Sequence, residues 1–456
     1  MSHTMFKFGG EPLSVLEKYR FLIDKIDPIR LMGHITKVTG ITLETLGPRG
    51  RIGEICKIII PDQHNVIKEV YGEIIGFNQR HMVIMPYFGI EGVFPGCEVK
   101  TTNEILSIPV SEELRGRILD GIGNPLDGKP MVLSKEKRSI FSNPPNPITK
   151  PRIEKIIPTG IRAIDGFLTM GEGQRMGIFA GSGVGKSTLL GMIARNAQAD
   201  INVIALIGER GREVREFIEK DLGPEGLKKS VLVVATSDTS PLMRIRGAYT
   251  ATTIAEYFRD QGYTVNLMLD SITRFSRAQR EVGLASGEPP SSSGYPPSVF
   301  STLPRLLERA GTSHAGTITG FYTVLVEGDD FNEPITDTVR GIIDGHILLK
   351  RELADKAHYP AIDILGSISR LFTDIVDMKT HRKPVMALKE LYAIYRENED
   401  LINIGAYQKG SDPKIDLAIK KYKEITDFLK QEIEEKVDFP TTVQSLGKMA
   451  QIVTGK

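Results

Sequence analysis

Ala180-Gly181-Ser182-Gly183-Val184-Gly185-Lys186-Ser187 is the stretch on which the reading of this chain turns. It follows an apolar strand-like run and opens a helical stretch, the context that a phosphate-binding loop needs. Glycines let successive backbone N–H groups turn inward around phosphate oxygens, and the following helix adds its positive end. Lys186, read as a solvent-facing charge, goes to the β- and γ-phosphates; the Ser187 hydroxyl goes to Mg²⁺, with Thr188 beside it. Ala180 stands where the usual pattern has its first glycine. The bland alternative, a glycine-rich structural turn, does not account for the strand before and the helix after. The stretch predicts an ATP site with Mg²⁺ as the accompanying ion, lined by Gly181, Ser182, Gly183, Val184, Gly185, Lys186, Ser187 and Thr188.

Two further elements bear on chemistry. Val265-Asn266-Leu267-Met268-Leu269-Asp270 is a buried strand ending in a carboxylate, and Asp270 in that place can hold Mg²⁺ through its water shell. Ile207-Gly208-Glu209-Arg210 ends the strand after the loop's helix. Glu209 there can polarise an attacking water as general base, and Arg210 can contact the γ-phosphate. Either element alone reads equally as a polar strand end or a solvated turn. Beside the phosphate loop Asp270 supports the Mg²⁺ site, and Glu209 with Arg210 separates hydrolysis from mere binding.

Outward from the loop, apolar runs alternate with helical stretches. Strands are predicted at Gln174 to Phe179, Ile201 to Ile207, Val231 to Ala235, Thr264 to Leu269, Thr317 to Val326 and His346 to Leu349. Continuous apolar strands between helices indicate a mostly parallel sheet covered on both faces. Before it, the turn-rich Gly116-Arg117-Ile118-Leu119-Asp120-Gly121 leads to Asn143-Pro144-Pro145-Asn146-Pro147, an interdomain connector. Earlier still, His34 to Val38, Ile55 to Ile60, Val70 to Ile75 and Met82 to Met85 read as short strands of a small barrel. Its sparse aromatics point to a structural or ring-forming role rather than nucleic-acid binding. Glu11 to Ile26 reads as an amphipathic helix, with Leu16, Tyr19, Ile23 and Ile26 on one face, either packed on the next domain or serving as a partner-docking arm. After about Thr380 the strand signal fades. Asp412-Pro413 reads as a helix start, with Ile415, Ile419, Tyr422, Leu429 and Ile433 as its apolar face. The expected fold class is α/β: a central P-loop (RecA-like), mostly parallel sheet domain between an N-terminal β-barrel and a C-terminal helical domain. The domains are expected at 1–28 (docking helix), 29–102 (barrel), 103–380 (P-loop domain with its leading connector) and 381–456 (helices).

Composition narrows the classes. The 456 residues are 40% hydrophobic and 25% charged, with a net charge of +1, so no global field draws nucleic acid or anionic lipid. Cys56 and Cys97 are the only cysteines and form no CxxC, which argues against a disulfide scaffold or zinc site. The eight histidines are scattered outside metal-binding spacings. No basic start with an apolar core marks a signal peptide, and no run reaches membrane-spanning length. The expected place is cytoplasmic, or docked to a membrane by partners.

Together these elements resemble the catalytic subunits of rotary ATP synthases and their relatives. Further matches are Pro158-Thr159-Gly160-Ile161-Arg162-Ala163-Ile164-Asp165, Ala255-Glu256-Tyr257-Phe258-Arg259-Asp260, and Tyr359-Pro360-Ala361-Ile362-Asp363 continuing into Ser367-Ile368-Ser369-Arg370. The last is a highly specific signature, and the likeness spans about Ile29 to Asp377. Gln174 to Gly183, Gly208 to Val214 and Gly294-Tyr295-Pro296-Pro297-Ser298-Val299 are similar to the flagellar and type III protein export ATPases. The acidic C-terminal loop of the synthase catalytic subunit is not found. The resemblance implies that Glu209 is the catalytic carboxylate, that Tyr359 packs on the adenine, and that Arg370 is an arginine finger reaching a neighbour's γ-phosphate. It implies a homohexamer that releases chaperones from export substrates and unfolds them for a membrane export gate. Implied partners are a stator-like regulator at the N-terminal helix, a central stalk protein, and substrates with chaperones at the C-terminal domain. Flagellar use comes first, a virulence type III secretion system second, and a proton-translocating synthase subunit after them. An RNA-driven helicase of similar core is disfavoured by the neutral charge and the aromatic-poor barrel.

Overall fold

The computed structural model describes residues 7–8, 11–12, 20, 31–61, 67–326, 330–331 and 333–454. The expected helix from Glu11 to Ile26 falls almost wholly outside them. Glu11-Pro12 pairs with Lys7-Phe8 as two-residue antiparallel strands instead of starting a helix. The chain divides into two compact units, one built on residues 1–85 and 90–104, the other on 86–89 and 105–456.

The first unit is a closed six-stranded barrel. Its strands are β1 (Gly33–Thr39), β2 (Thr42–Leu46), β3 (Glu54–Pro61), β4 (Ile67–Asn78), β5 (His81–Pro86) and β6 (Glu98–Ile105), in spatial order β1-β2-β5-β4-β3-β6. Alternation puts Cys56, Ile58 and Ile60 of β3 inside with Ile35, Leu43, Val70, Ile74, Met82, Ile84, Cys97 and Val99. Closure leaves no sheet edge to pair with other chains. Both cysteines are free and buried in this core, and burial pushes the Cys56 thiol up to about 12, so it is inert.

The second unit carries the sheet. Its strands are β7 (Ile118–Asp120), β8 (Arg175–Ala180), β9 (Ile201–Ile207), β10 (Ser230–Ala235), β11 (Thr264–Asp270), β12 (Thr317–Leu325), β13 (Gly345–Leu349) and β14 (Ile368–Ser369). The order is β7-β10-β9-β11-β12-β8-β13-β14, parallel except for β14 and the two-residue strand Gly311–Thr312. The stretch Gly116 to Gly121, read from sequence as turns, contains the edge strand β7, which pairs with β10. Three residues are too few for a periodic signal, and glycines flank them.

Sheet-covering helices are α1 (Lys186–Asn196), α2 (Pro241–Asp260), α3 (Ile272–Ala285) and α4 (Pro297–Leu307). α2 begins as its sequence directs, with the Ser240 hydroxyl accepting from the Met243 N–H and Pro241 at the first position. Beyond the sheet, α5 (Lys383–Asn403), α6 (Pro413–Leu429) and α7 (Phe439–Thr454) form the helical region. Val385, Leu388, Leu391, Ile425 and Leu446 from it share one hydrophobic core with Ile164, Phe167 and the strands. The Asp412 cap and Pro413 start α6 as expected, but the buried face differs. Ala418, Lys421, Ile425 and Leu429 face the core, while Ile419 is partly exposed and Ile433 lies past the helix end. The long Lys421 stem takes a core position that hydropathy assigns to an isoleucine, with its ammonium on Glu424.

Candidate active site

Parallel sheets present their ligands at the carboxyl ends of their strands. Here a cavity of about 680 Å³ sits at that edge, lined by the loop Gly181 to Thr188 with Glu209, Arg210, Arg274, Val326 and Arg351 among others. The loop leaves β8, Glu209 follows β9, Asp270 ends β11, Val326 follows β12 and Arg351 follows β13. Ala180 is the last residue of β8 and is buried in ladder register with Leu325 and Leu349, so its place asks for no glycine. Gly185 does need to be one. It caps α1 with φ of +92°, a left-handed conformation costly for any other residue. Gly208 is constrained by space as well: a Cβ there would come within 2.8 Å of Arg274.

Three charged side chains converge on the loop. Lys186 Nζ lies 2.5 Å from Asp270 Oδ1 and 3.5 Å from Glu209 Oε1. The three side chains are 11%, 4% and 12% exposed, so Lys186 is an enclosed ion-pair member and not the solvent-facing charge expected from sequence. The expectation failed because the position of a lysine in a loop says nothing about carboxylates supplied by two other strands. Burial alone would depress the Lys186 ammonium, but Asp270 and Glu209 outweigh it and hold it above its usual value. Burial raises the Glu209 carboxyl, Lys186 pulls it back and Asp270 raises it again, leaving it at about 7. The Thr323 hydroxyl donates to Asp270 Oδ1 at 2.7 Å and fixes its direction. Arg210 is largely exposed and pairs with Glu213 at 3.3 Å, on the cavity rim.

A second cavity, of about 440 Å³, adjoins the first at Gly185 and Thr188. Val184, Leu189, Met192, Leu349 and Tyr359 give it apolar walls, and residues 430–433 with Glu435 close it. Tyr359 is half exposed, and its ring lies 3.9 Å from the Cβ position of Gly185. The closing stretch comes from the turn after α6, a contribution the sequence reading missed because no motif marks it. It is held firmly. Gln431 donates its backbone N–H to the Tyr359 carbonyl (2.9 Å) and its side-chain amide to the Gly160 carbonyl (2.8 Å). Arg162 contacts the carbonyls of Phe428 and Lys430 and the Glu435 carboxylate.

The quoted sequence signatures have structural explanations. Ser367 donates to the Asp363 carbonyl and accepts from the Leu348 N–H, and Ser369 donates to the Thr169 carbonyl. Those bonds strap residues 359–370 along β13, with Tyr359 at one end and Arg370 at the other. Arg370 is exposed, donates to the Arg340 carbonyl at 3.3 Å, and is not part of either cavity wall of its own chain. Glu256 forms a two-point ion pair with buried Arg309, which also holds the Ile140 carbonyl, so that motif anchors the connector. Asp165 accepts from the Thr159 and Gly160 N–H groups, and burial pushes its carboxyl up to about 6.

The phosphate loop and the two carboxylates at neighbouring strand ends lie within residues 160–369, which the model of the ATP synthase alpha/beta family, nucleotide-binding domain, matches. The beta-barrel domain of the same family matches residues 35–103. The chain belongs to the ATP synthase alpha/beta family. Within that family it falls among the ATPases of flagellar and type III export. The T3SS EscN ATPase C-terminal domain matches residues 378–448. The flagellum-specific ATP synthase of Bacillus subtilis (strain 168) is 52% identical over 413 residues, 91% of this chain and 94% of that one. The type 3 secretion system ATPase of Xanthomonas euvesicatoria is 48% identical, over 91% of this chain and 93% of its own. The assembled ATPase EscN from the enteropathogenic E. coli type III secretion system superposes with a TM-score of 0.86 at 46% identity, covering 91% of this chain and 99% of that one. EscN has also been solved in complex with its central stalk EscO, with a TM-score of 0.83. Family membership makes this chain an ATP-hydrolysing enzyme.

Proposed function

We propose that the chain is the ATP-hydrolysing motor of a flagellar protein export apparatus, acting as a homohexamer. The observation that carries this is the convergence of Lys186, Glu209 and Asp270 on one phosphate loop, in a chain whose Arg370 lies outside its own site. A ring of identical subunits needs both halves of each site on every copy, and this sequence supplies both.

In this reading the loop N–H groups of Gly181 to Thr188 and the Lys186 ammonium hold the phosphates, and Tyr359 stacks on the adenine. The Ser187 hydroxyl and the Asp270 carboxylate are hard oxygen donors that fit Mg²⁺ arriving on the nucleotide. When bound, Mg²⁺ neutralises charge on the transferring phosphoryl group. Lys186 leaves Asp270 and Glu209 for the phosphates, and Glu209, then facing the γ-phosphate, orients and deprotonates the attacking water. Arg210, on the rim, reaches the same phosphate. Arg370 of the adjoining subunit stabilises the charge that develops in transfer.

The proposed partners are a central stalk protein in the ring, a regulator at the N-terminal segment, substrate–chaperone complexes at the helical region, and a membrane gate. Among the described residues no helix is long and apolar enough to cross a membrane. A type III secretion role is the second reading, favoured by the C-terminal domain match over residues 378–448. Neighbouring genes for hook and basal-body parts, or for needle and effectors, decide between them.

The ring mechanism has a direct test. Arg370→Ala and Glu209→Gln should each be inactive yet bind ATP, because an arginine finger supplies about 10³–10⁵-fold in rate. Mixing the two should restore activity where an intact Glu209 meets an intact Arg370. No rescue from two folded variants, with turnover independent of protein concentration, would sink the shared site.

A further inference from the structure

We propose that Arg351 is a phosphate ligand of the nucleotide bound to its own chain. The proposal extends the ATP-binding reading above and depends on it. In the sheet order, β9 and β11 bring Glu209 and Asp270 to one flank of β8, while β13 brings Arg351 to the other. Arg351 therefore approaches the cavity from the side that the carboxylates leave uncovered. Its Nη2 donates to the Ser182 carbonyl at 2.9 Å, at the crown of the loop, and the residue forms part of the cavity wall.

The partners of the cavity's cations differ in kind. Lys186 is held by two carboxylates and Arg210 by Glu213. Glu352 is engaged by Arg396 and Asp363 by Lys350 at 2.8 Å, and Asp355, one turn along the same short helix, makes no ion pair with Arg351. Among the described residues Arg351 forms no ion pair, and its contact is a neutral carbonyl. A bond between a guanidinium and a phosphate oxygen is roughly twice as strong as one to a neutral acceptor, and the planar fork suits phosphate geometry. Exchange from Ser182 to a phosphate oxygen thus runs downhill once nucleotide arrives. Arg351 also opens the short helix Arg351–Asp355, which leads within a few residues to Ala357 and Tyr359 in the wall of the second cavity. One short element so carries a contact to the phosphates and a wall for the base.

The chain contains no tryptophan, so Tyr359→Trp places a single tryptophan, which can be excited selectively over the tyrosines, in the base cavity. In that background, with Glu209→Gln to stop turnover, the dissociation constants of MgATP, MgADP and adenosine are measured for Arg351, Arg351→Met and Arg351→Lys. Loss of a charge-assisted bond should raise the constants for MgATP and MgADP about 10- to 100-fold in Arg351→Met, with adenosine unchanged. Arg351→Lys, which keeps the charge without the fork, should recover part of the loss. MgATP affinity within twofold of the parent overturns the proposal, as does an equal loss for adenosine, which marks a purely structural clasp. Lys186→Ala serves as the reference. If it loses MgATP affinity while Arg351→Met keeps it, this inference alone fails; if both keep it, the ATP site itself has been misread.

Discussion

Replacing Glu209 by glutamine should stop hydrolysis and also stabilise the empty protein above neutral pH. The Glu209 carboxyl, ordinarily at 4.5, is raised in the folded chain to about 7, first by burial and then by Asp270 acting against Lys186. A carboxyl that holds its proton more tightly when folded adds stability below its ordinary value and loses it as pH rises through the raised one. The gap corresponds to about 3 kcal/mol, lost between roughly pH 4.5 and pH 8. Glutamine has no proton to lose. The variant should therefore match wild type near pH 5 and exceed it by about 3 kcal/mol above pH 8, about 4 °C in melting temperature for a unit of this size. Thermal unfolding of both proteins without nucleotide, across that range, measures the difference directly. In the same variant, single-turnover hydrolysis should fall by about 10²–10⁴, because an amide cannot take a proton from water. MgATP binding should survive, since Lys186 is released from one of its two carboxylates. A melting difference that stays flat with pH would refute the strained carboxyl, and near-normal single-turnover chemistry would refute the base.

Lys186→Ala should abolish hydrolysis, and Glu209, no longer pulled down by the Lys186 ammonium, should keep its proton to higher pH than in wild type, seen by potentiometric titration without nucleotide. Turnover near the wild-type rate in the folded variant would contradict the loop assignment. Tyr359→Ser should weaken MgATP binding by about 1–3 kcal/mol, the range of base–aromatic stacking. An unchanged dissociation constant by equilibrium dialysis would remove the tyrosine from the base site. Deleting residues 1–26 should leave a folded protein with a competent nucleotide site but weaker partner docking. Circular dichroism showing an unfolded truncation would count against a docking arm.

Much of the sheet was legible because strands buried on both faces must be apolar along their whole length, as Ile201–Ile207 is. The same logic found Glu209 and Asp270, polar groups at the ends of apolar runs. It applied equally to Arg351, which follows Gly345–Leu349, but the sequence reading did not single that arginine out. Barrel strands β2 and β6 were missed for the opposite reason. Thr45 is fully buried, its hydroxyl donating to the His34 and Gly47 carbonyls, and β6 carries a single fully buried side chain, Val99. Polar groups satisfied by the backbone erase the alternation that marks a half-buried strand. The turn at 430–433 was illegible because its task is done by main-chain carbonyls, which any sequence has.

That turn has a mechanical consequence. Its carbonyl at Ile433 is held by Arg195, in the last turn of the helix that the phosphate loop begins, and its two ends run on into α6 and towards α7. A load applied to those helices is thus a load on the lid of the base cavity. Linked equilibria are reciprocal: whatever free energy a bound partner spends in displacing the lid, it takes from nucleotide affinity, and the nucleotide returns the same amount in holding the lid shut. For this chain, binding at the helical end and binding at the loop would draw on one coupling free energy, so a ligand that moved the lid would register as a change in nucleotide affinity.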